Sequence, residues 1–171
     1  QSVIKTSPKI ESLTFLANSY TRIGLRLDNP KLPFTDIRVR QALMLATDFQ
    51  SFKKNYYGGQ AEIDVLLANL NFKDRGFVPL AELPQSVQAL YSYNTDKARQ
   101  LLKEAGYPTG FKTDIIVSSA GTNVDEVAIF KDMWSKVGIE LNILVREPSV
   151  YSTITNARSW EQTIYGAQVA H

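Results

Sequence analysis

At 171 residues the chain is within the size of one domain and can bury a real core, and its 44% hydrophobic and 21% charged content is ordinary for a folded domain. A net charge of +2, with no run of lysine or arginine interleaved with aromatics, argues against nucleic acid. There is no cysteine and a single histidine, His171, so disulfides, thiolate metal sites, a histidine-based triad and a multi-histidine metal site are all excluded from this chain alone.

No stretch approaches the roughly 18 apolar residues of a membrane helix. The start at Gln1 shows no signal-peptide pattern, which carries no weight in a mature or excised chain. Residues 1–11 are polar and read as a lead-in, with a short strand around Val3 and Ile4. Residues 13–16 and 23–27 are short apolar runs and strand candidates. Residues 28–33 carry two prolines and Asp28-Asn29, so they form a loop. Thr35 or Asp36 then caps a helix in which Ile37, Ala42, Leu45 and Ala46 can face a core, while Arg38 and Gln41 face outward. Arg38 and Arg40 are expected to be solvated or to pair with nearby carboxylates. Thr47-Asp48 caps a second helix over 49–56, which Gly58-Gly59 stops.

Residues 60–92 break every period and read as a long ordered loop with a turn of helix near 84–90. The segment 93–111 is the most completely punctuated in the chain. Asn94 or Thr95 caps it, Asp96 complements the helix dipole, and Ala98, Leu101, Leu102 and Ala105 form one apolar face. Gly106 closes it and Pro108 prevents its resumption. A strand follows over 111–117, with Phe111, Thr113, Ile115 and Val117 alternating against Lys112, Asp114 and Ile116. Residues 118–123 form a small polar loop. A helix over 124–137 places Val127, Phe130, Met133, Trp134 and Val137 at helical spacing, with Gly138 as its cap. A second strand spans 139–145, a helix opening near Pro148 continues over 150–157, and a last strand runs over 160–169.

The C-terminal half is therefore strand, helix, strand, helix, strand. Crossovers of this kind imply parallel pairing with helices on the sheet faces. The expected fold class is α/β, with a mixed, mostly parallel sheet flanked by helices. Ligands of such sheets sit outside the carboxyl ends of the strands. That edge would carry residues 118–123, Arg146-Glu147 and residues 166–171.

Chemistry beyond binding is hard to assemble. Gly58-Gly59 and Gly106…Gly110 lack the spacing and context of a phosphate loop. Asp125, Glu126 and Glu140 read as a helix first turn and a solvent face rather than a catalytic pair. Ser118 and Ser119 have no base nearby in sequence and read as helix-capping loop serines or as ligand hydrogen-bonding groups. Tyr56, Tyr57, Tyr91, Tyr93 and Tyr107 flank turns and read as surface or core-edge residues.

Three segments taken together are more specific. Residues 33–48, from Pro33-Phe34-Thr35-Asp36-Ile37-Arg38-Val39-Arg40-Gln41-Ala42-Leu43 to Ala46-Thr47-Asp48, resemble the PPF-x-D-x-R-V-R-Q-A-L-x-x-A-x-D signature of the extracellular solute-binding proteins of ABC transporters in the peptide/nickel class, family 5. Residues 93–111 resemble that family's Y-x-Y-D-P-E-K-A-K-x-L-L-x-E-A-G-Y-P-x-G-F. Val137-Gly138-Ile139-Glu140-Leu141 resembles its x-G-I-x-V, and residues 160–171 its return strand, Y-D-x-x-x-x-G-W-x-x-D. The order and spacing of the first three agree, and the resemblance covers nearly the whole chain.

The resemblance implies a lobe of a type II periplasmic binding protein-like fold. Residues 1–171 would be one α/β lobe, the second of a two-lobed protein whose first lobe is absent, with the two chain ends close together at a hinge. It implies a non-enzymatic receptor, periplasmic or extracellular and membrane-tethered as a lipoprotein. The receptor would close its lobes on an oligopeptide or oligosaccharide and deliver it to an ABC permease, with no cofactor, metal or nucleic acid. Ligand contacts would come from Ser118, Ser119, Asn123, Tyr165, Ala167, Gln168 and His171, with part of the 60–80 loop. In peptide-binding members the return strand carries an aromatic after the glycine and an acid three residues on, which anchors the peptide amine. Gly166 matches, but Ala167 and Ala170 stand at those two positions. That departure disfavours a free-amine peptide, while Gln168 and His171 suit a neutral, hydroxyl-rich ligand. The rival readings are a stand-alone interaction or sensor module and, on fold analogy alone, a small α/β enzyme.

Overall fold

The computed structural model describes residues 22–61, 63, 78–121 and 123–166. The expectations placed on residues 3–4, 13–16 and 167–171, and on most of the 60–80 loop, lie outside them.

The described residues form a four-stranded sheet in the order β1-β4-β2-β3, with β1 at Ile23–Leu25, β2 at Lys112–Ser118, β3 at Glu140–Arg146 and β4 at Thr163–Tyr165. β2 pairs parallel with β3 over its whole length, from Lys112 opposite Glu140 to Ser118 opposite Arg146. It pairs parallel with β4 on its other side, and β4 pairs antiparallel with β1. The sheet is thus mixed and mostly parallel, as the alternating strand and helix pattern implies. The strand expected over 160–169 is shorter among the described residues, because Glu161 and Gln162 bend before it. Gln162 serves instead as an acceptor, its Oε1 taking hydrogen bonds from the Thr113 hydroxyl at 2.8 Å and the Asp114 N–H at 2.9 Å.

Helices cover both faces. α1 (Ile37–Leu45), α2 (Phe49–Asn55), α3 (Gln85–Gln88) and α4 (Thr95–Glu104) precede the parallel strands; α5 (Asn123–Ser135) joins β2 to β3, and α6 (Pro148–Ala157) joins β3 to β4. Single 3₁₀ turns lie at Pro33–Thr35, Leu80–Glu82 and Ala89–Tyr91. The main core lies on one face: Ile115 and Val117 of β2 and Leu141 of β3 meet Val127, Phe130, Met133 and Trp134 of α5, the α1 residues Val39, Ala42 and Leu43, and Ala98 and Leu102 of α4. The opposite face carries a smaller cluster, in which Ile116 of β2 and Ile164 of β4 meet Trp160 and α6 residues Tyr151 and Ile154. Alternate residues of β2 therefore serve the two cores, as the twofold period of a strand demands. β2 to β3 and β3 to β4 step in opposite directions along the sheet, so crossovers of one hand place α5 and α6 on opposite faces.

Capping chemistry follows the sequence closely. The Asp36 side chain accepts from the Arg38 N–H, Asp48 from Ser51 and Asn94 from Lys97. The Arg38 guanidinium and its backbone N–H hold the Asp36 carboxyl down at about 2. Arg38 thus pairs as expected, whereas Arg40 donates to the carbonyls of Phe34 and Thr35 and ties off the preceding turn. Ile37 departs from expectation: at the first helical position it is 58% exposed, and Val39 and Leu43 take the core-facing role beside Ala42 and Leu45. Thr47 is also not a surface cap. It is buried and links α1 to α5, as its hydroxyl donates to the Leu43 carbonyl and accepts from Trp134 Nε1.

At the amino edge of the sheet two glycines meet back to back. A Cβ on Gly110 would lie 2.0 Å from the Gly138 carbonyl oxygen, and both residues have positive φ. The turn before β2 and the turn before β3 therefore touch backbone to backbone, and the Glu140 N–H donates to the Phe111 carbonyl to start the ladder.

Candidate functional site

The opposite edge, outside the carboxyl ends of β2, β3 and β4, is where the sheet changes direction. β2 leads into α5 on one face and its neighbour β3 leads into α6 on the other, so a crevice opens between the two departing loops. The structure brings to this edge Ser118 at the end of β2 and Ser119 after it, Arg146 at the end of β3 and Glu147 after it, Gly166 after β4, and Asn123 at the start of α5. Because β1 runs antiparallel to β4, its leading residue Arg22 reaches the same edge, and the Gly166 N–H donates to the Arg22 carbonyl at 2.8 Å.

The loop after β2 is built by local hydrogen bonds. The Ser119 N–H donates to the Arg146 carbonyl at 2.8 Å and extends the β2–β3 ladder by one rung. The Ser118 hydroxyl accepts from the Ala120 N–H, a serine turn that reverses the chain, and Gly121 with φ of 62° continues the reversal toward α5. Ser118 is consequently buried, whereas Ser119 is exposed and Asn123 half-buried. Arg146 is half-buried and its guanidinium folds back on the Val145 carbonyl. Exposed carboxylates at Asp125 and Glu147 give the edge both signs of charge.

Of the residues expected to meet ligand, Ser118, Ser119, Asn123 and Tyr165 all fall on this edge; Ala167, Gln168 and His171 lie outside the described residues. Ser119 and Asn123 are the two with open side chains. Tyr165 is 2% exposed and its ring turns into the main core against Phe130, where its hydroxyl donates to the Glu126 carboxylate. Glu126 lies in the first turn of α5 as expected, but at 7% exposure it is buried there rather than open to solvent. Sequence spacing carried the signal: Glu126 lies four residues before Phe130 and seven before Met133, on the apolar stripe of α5. From the other face the Tyr151 hydroxyl of α6 donates to the Tyr165 carbonyl. Burial pushes the Tyr151 phenol up, so it stays a donor. No group of three or more metal-ligating side chains occurs among the described residues.

This mixed, mostly parallel sheet with a polar, two-signed edge at its switch point is an α/β architecture shared with solved periplasmic binding proteins. Residues 1–169 match the family model for bacterial extracellular solute-binding proteins, family 5 Middle, and the chain belongs to that family. It is 30% identical over 154 residues to Heme-binding protein A of Haemophilus influenzae, a match covering 86% of this chain and 26% of that protein. Among solved structures it resembles HbpA2 from Haemophilus parasuis, with a TM-score of 0.71 and 27% identity over 96% of this chain and 31% of that one. It also resembles the ABC transporter-associated periplasmic binding protein DppA from Helicobacter pylori in complex with peptide STSA, with a TM-score of 0.69 and 26% identity over 88% and 27%. The chain therefore spans 26% to 31% of the length of these relatives.

Proposed function

We propose that this chain is one lobe of a two-lobed solute receptor serving an ABC importer, and that the crevice at the carboxyl edge of its sheet is that lobe's wall of the ligand site. The observation that carries this reading is the meeting of Arg22 and Gly166. The chain enters β1 and leaves β4 at hydrogen-bonded neighbours on this edge, which suits a lobe inserted into a longer chain through two adjacent crossings. A second lobe approaching from there would close over Ser119, Asn123 and Arg146 in a hinge motion. The role is non-enzymatic, in keeping with relatives whose names are those of binding proteins. The receptor would work outside the cytoplasm, tethered as a lipoprotein beside the membrane permease that accepts its cargo.

Peptide-type cargo is favoured by the DppA complex, and heme is the rival from the H. influenzae relative. A site whose edge carries a serine, an amide, a folded-back arginine and the exposed carboxylates of Asp125 and Glu147 offers hydrogen bonds and both signs of charge rather than one dominant charge. Calorimetry on the intact protein and on residues 1–171 alone, titrating peptide STSA and heme separately, tests the reading. The intact protein should bind one of them at micromolar affinity or better. The isolated chain should bind neither, since closure normally encloses most of a ligand and one wall does not. Micromolar binding by the isolated chain would refute the two-lobed reading.

A further inference from the structure

The Tyr165–Gly166 peptide is pinned at every polar group it has. Its carbonyl oxygen accepts from the Tyr151 hydroxyl of α6, and its N–H donates to the Arg22 carbonyl beside β1. The Tyr165 side chain is anchored as well, with its hydroxyl on Glu126 of α5 and its ring against Phe130. Two helices on opposite faces of the sheet and the neighbouring strand thus converge on Tyr165 and its following peptide, at the edge of the proposed crevice. The next bond turns the chain: Gly166 has φ of 77°, and a Cβ there would approach Tyr151 Oη at 3.7 Å.

We infer that Glu126 and Tyr151 are positioning residues for the ligand crevice, holding the end of β4 from opposite faces and thereby setting the spacing between the first turns of α5 and α6. The inference rests on the proposed ligand role of that edge. Its physical basis is the rigidity of tyrosine. A buried ring with its hydroxyl on a carboxylate cannot shift without leaving polar groups unpaired, at a cost above the ordinary net worth of a hydrogen bond. Tyr165 therefore transmits the position of α5 to β4. Tyr151, reaching from the fourth position of α6, transmits that of α6 to the same peptide. Burial keeps the Tyr151 phenol protonated across the physiological range, so this tie is permanent rather than switched.

The test is hydrogen exchange on the intact protein, comparing wild type with Tyr151→Phe, Glu126→Ala and Glu126→Gln, followed by titration with peptide STSA. Losing one tie should speed exchange of the Gly166 amide by about fivefold to tenfold, the factor one net hydrogen bond supplies. The Ile115 and Leu141 amides in the core should hold their rates. Glu126→Gln keeps an acceptor for the Tyr165 hydroxyl and should restore the wild-type pattern that Glu126→Ala loses. STSA affinity should fall by a similar factor in Tyr151→Phe with the melting temperature nearly unchanged. Uniform acceleration through the core, an unaltered Gly166 amide, or altered exchange with unaltered affinity overturns the inference. Should Glu126→Ala not fold, Tyr151→Phe decides alone. If wild type binds no peptide, the cargo reading fails separately, and exchange still decides whether the peptide unit is pinned by these residues.

Discussion

Thr47 shows how much one short side chain can carry. It ends α1, yet it is buried, donating to the Leu43 carbonyl at 2.8 Å and accepting from Trp134 Nε1 at 3.0 Å. Thr47→Val keeps the shape and removes the acceptor, so the Trp134 N–H is left buried and unpaired. That should cost about 1–3 kcal/mol in urea denaturation. Thr47→Ser keeps the hydroxyl and should lose less than half as much; equal losses in the two variants would assign the effect to packing. At this same scale the sequence was only partly legible. Asp36, Asp48 and Asn94 announced their caps because an N-cap needs only local geometry. Thr47, equally well placed to cap, was drawn inward by a tryptophan 87 residues away, which no local pattern contains. Ile37 read as core because apolar spacing does not say where on a helix the burial begins. Ser118 and Tyr165 fell on the expected edge, but the sequence did not show that their side chains point into the lobe. Their partners, a backbone amide two residues on and a carboxylate on α5, are set by the loop and by the fold.

Among the elements, helix starts and glycine turns decide stability in ways that can be separated. The α1 cap depends on an ionised Asp36. Its folded pKa of about 2 lies below the ordinary aspartate value of 3.8, so the group's contribution is fully present above the unfolded value. It is lost as pH falls from near 4 toward 2. An NMR titration should place the Asp36 carboxyl midpoint near 2, and Asp36→Asn should flatten this part of the stability profile while keeping the cap. A midpoint at the ordinary value would mean that the Arg38 pairing does not persist in solution. Glycine turns separate by environment. Gly106 has φ of 93° and open space around it, so Gly106→Ala meets only backbone strain, about 1–2 kcal/mol. Gly110→Ala meets the Gly138 carbonyl oxygen at 2.0 Å as well, and should cost clearly more, about 3 kcal/mol or beyond. Thermal melts giving the reverse order would show that the two turns do not touch. The helix-closing role of Gly106 was legible because its punctuation is local. The back-to-back meeting of Gly110 and Gly138 was not, since it joins two turns that belong to different crossovers.

For the molecule as a whole, the two faces of the sheet are unequally built, and the crevice lies between them. α5 buries Glu126, Val127, Phe130, Met133 and Trp134, whereas none of the α6 residues is fully buried. Trp160 and Ile164 are the two buried residues of the cluster beneath α6, with Ile116, Tyr151 and Ile154 partly covered around them. Stability should therefore be graded across the sheet. α6 has little apolar area to lose on opening, while α5 can open only with the main core. In native-state hydrogen exchange the amides of Tyr151 to Ala157 should exchange at least about tenfold faster than those of Val127 to Ser135, through an opening that leaves β2 and β3 protected. Equal protection in the two helices would mean that the lobe opens only as a unit. The gradient bears on function because α5 is held by the main core, whereas α6 is held at the edge by the Tyr151 tie and has little apolar burial behind it. A ligand seated at the edge would meet a first turn of α6 already held by the Tyr151 tie and would order the rest of the helix behind it, so binding should raise protection in α6 more than in α5. Protection rising in α5 alone would place the ligand elsewhere than between the two helices.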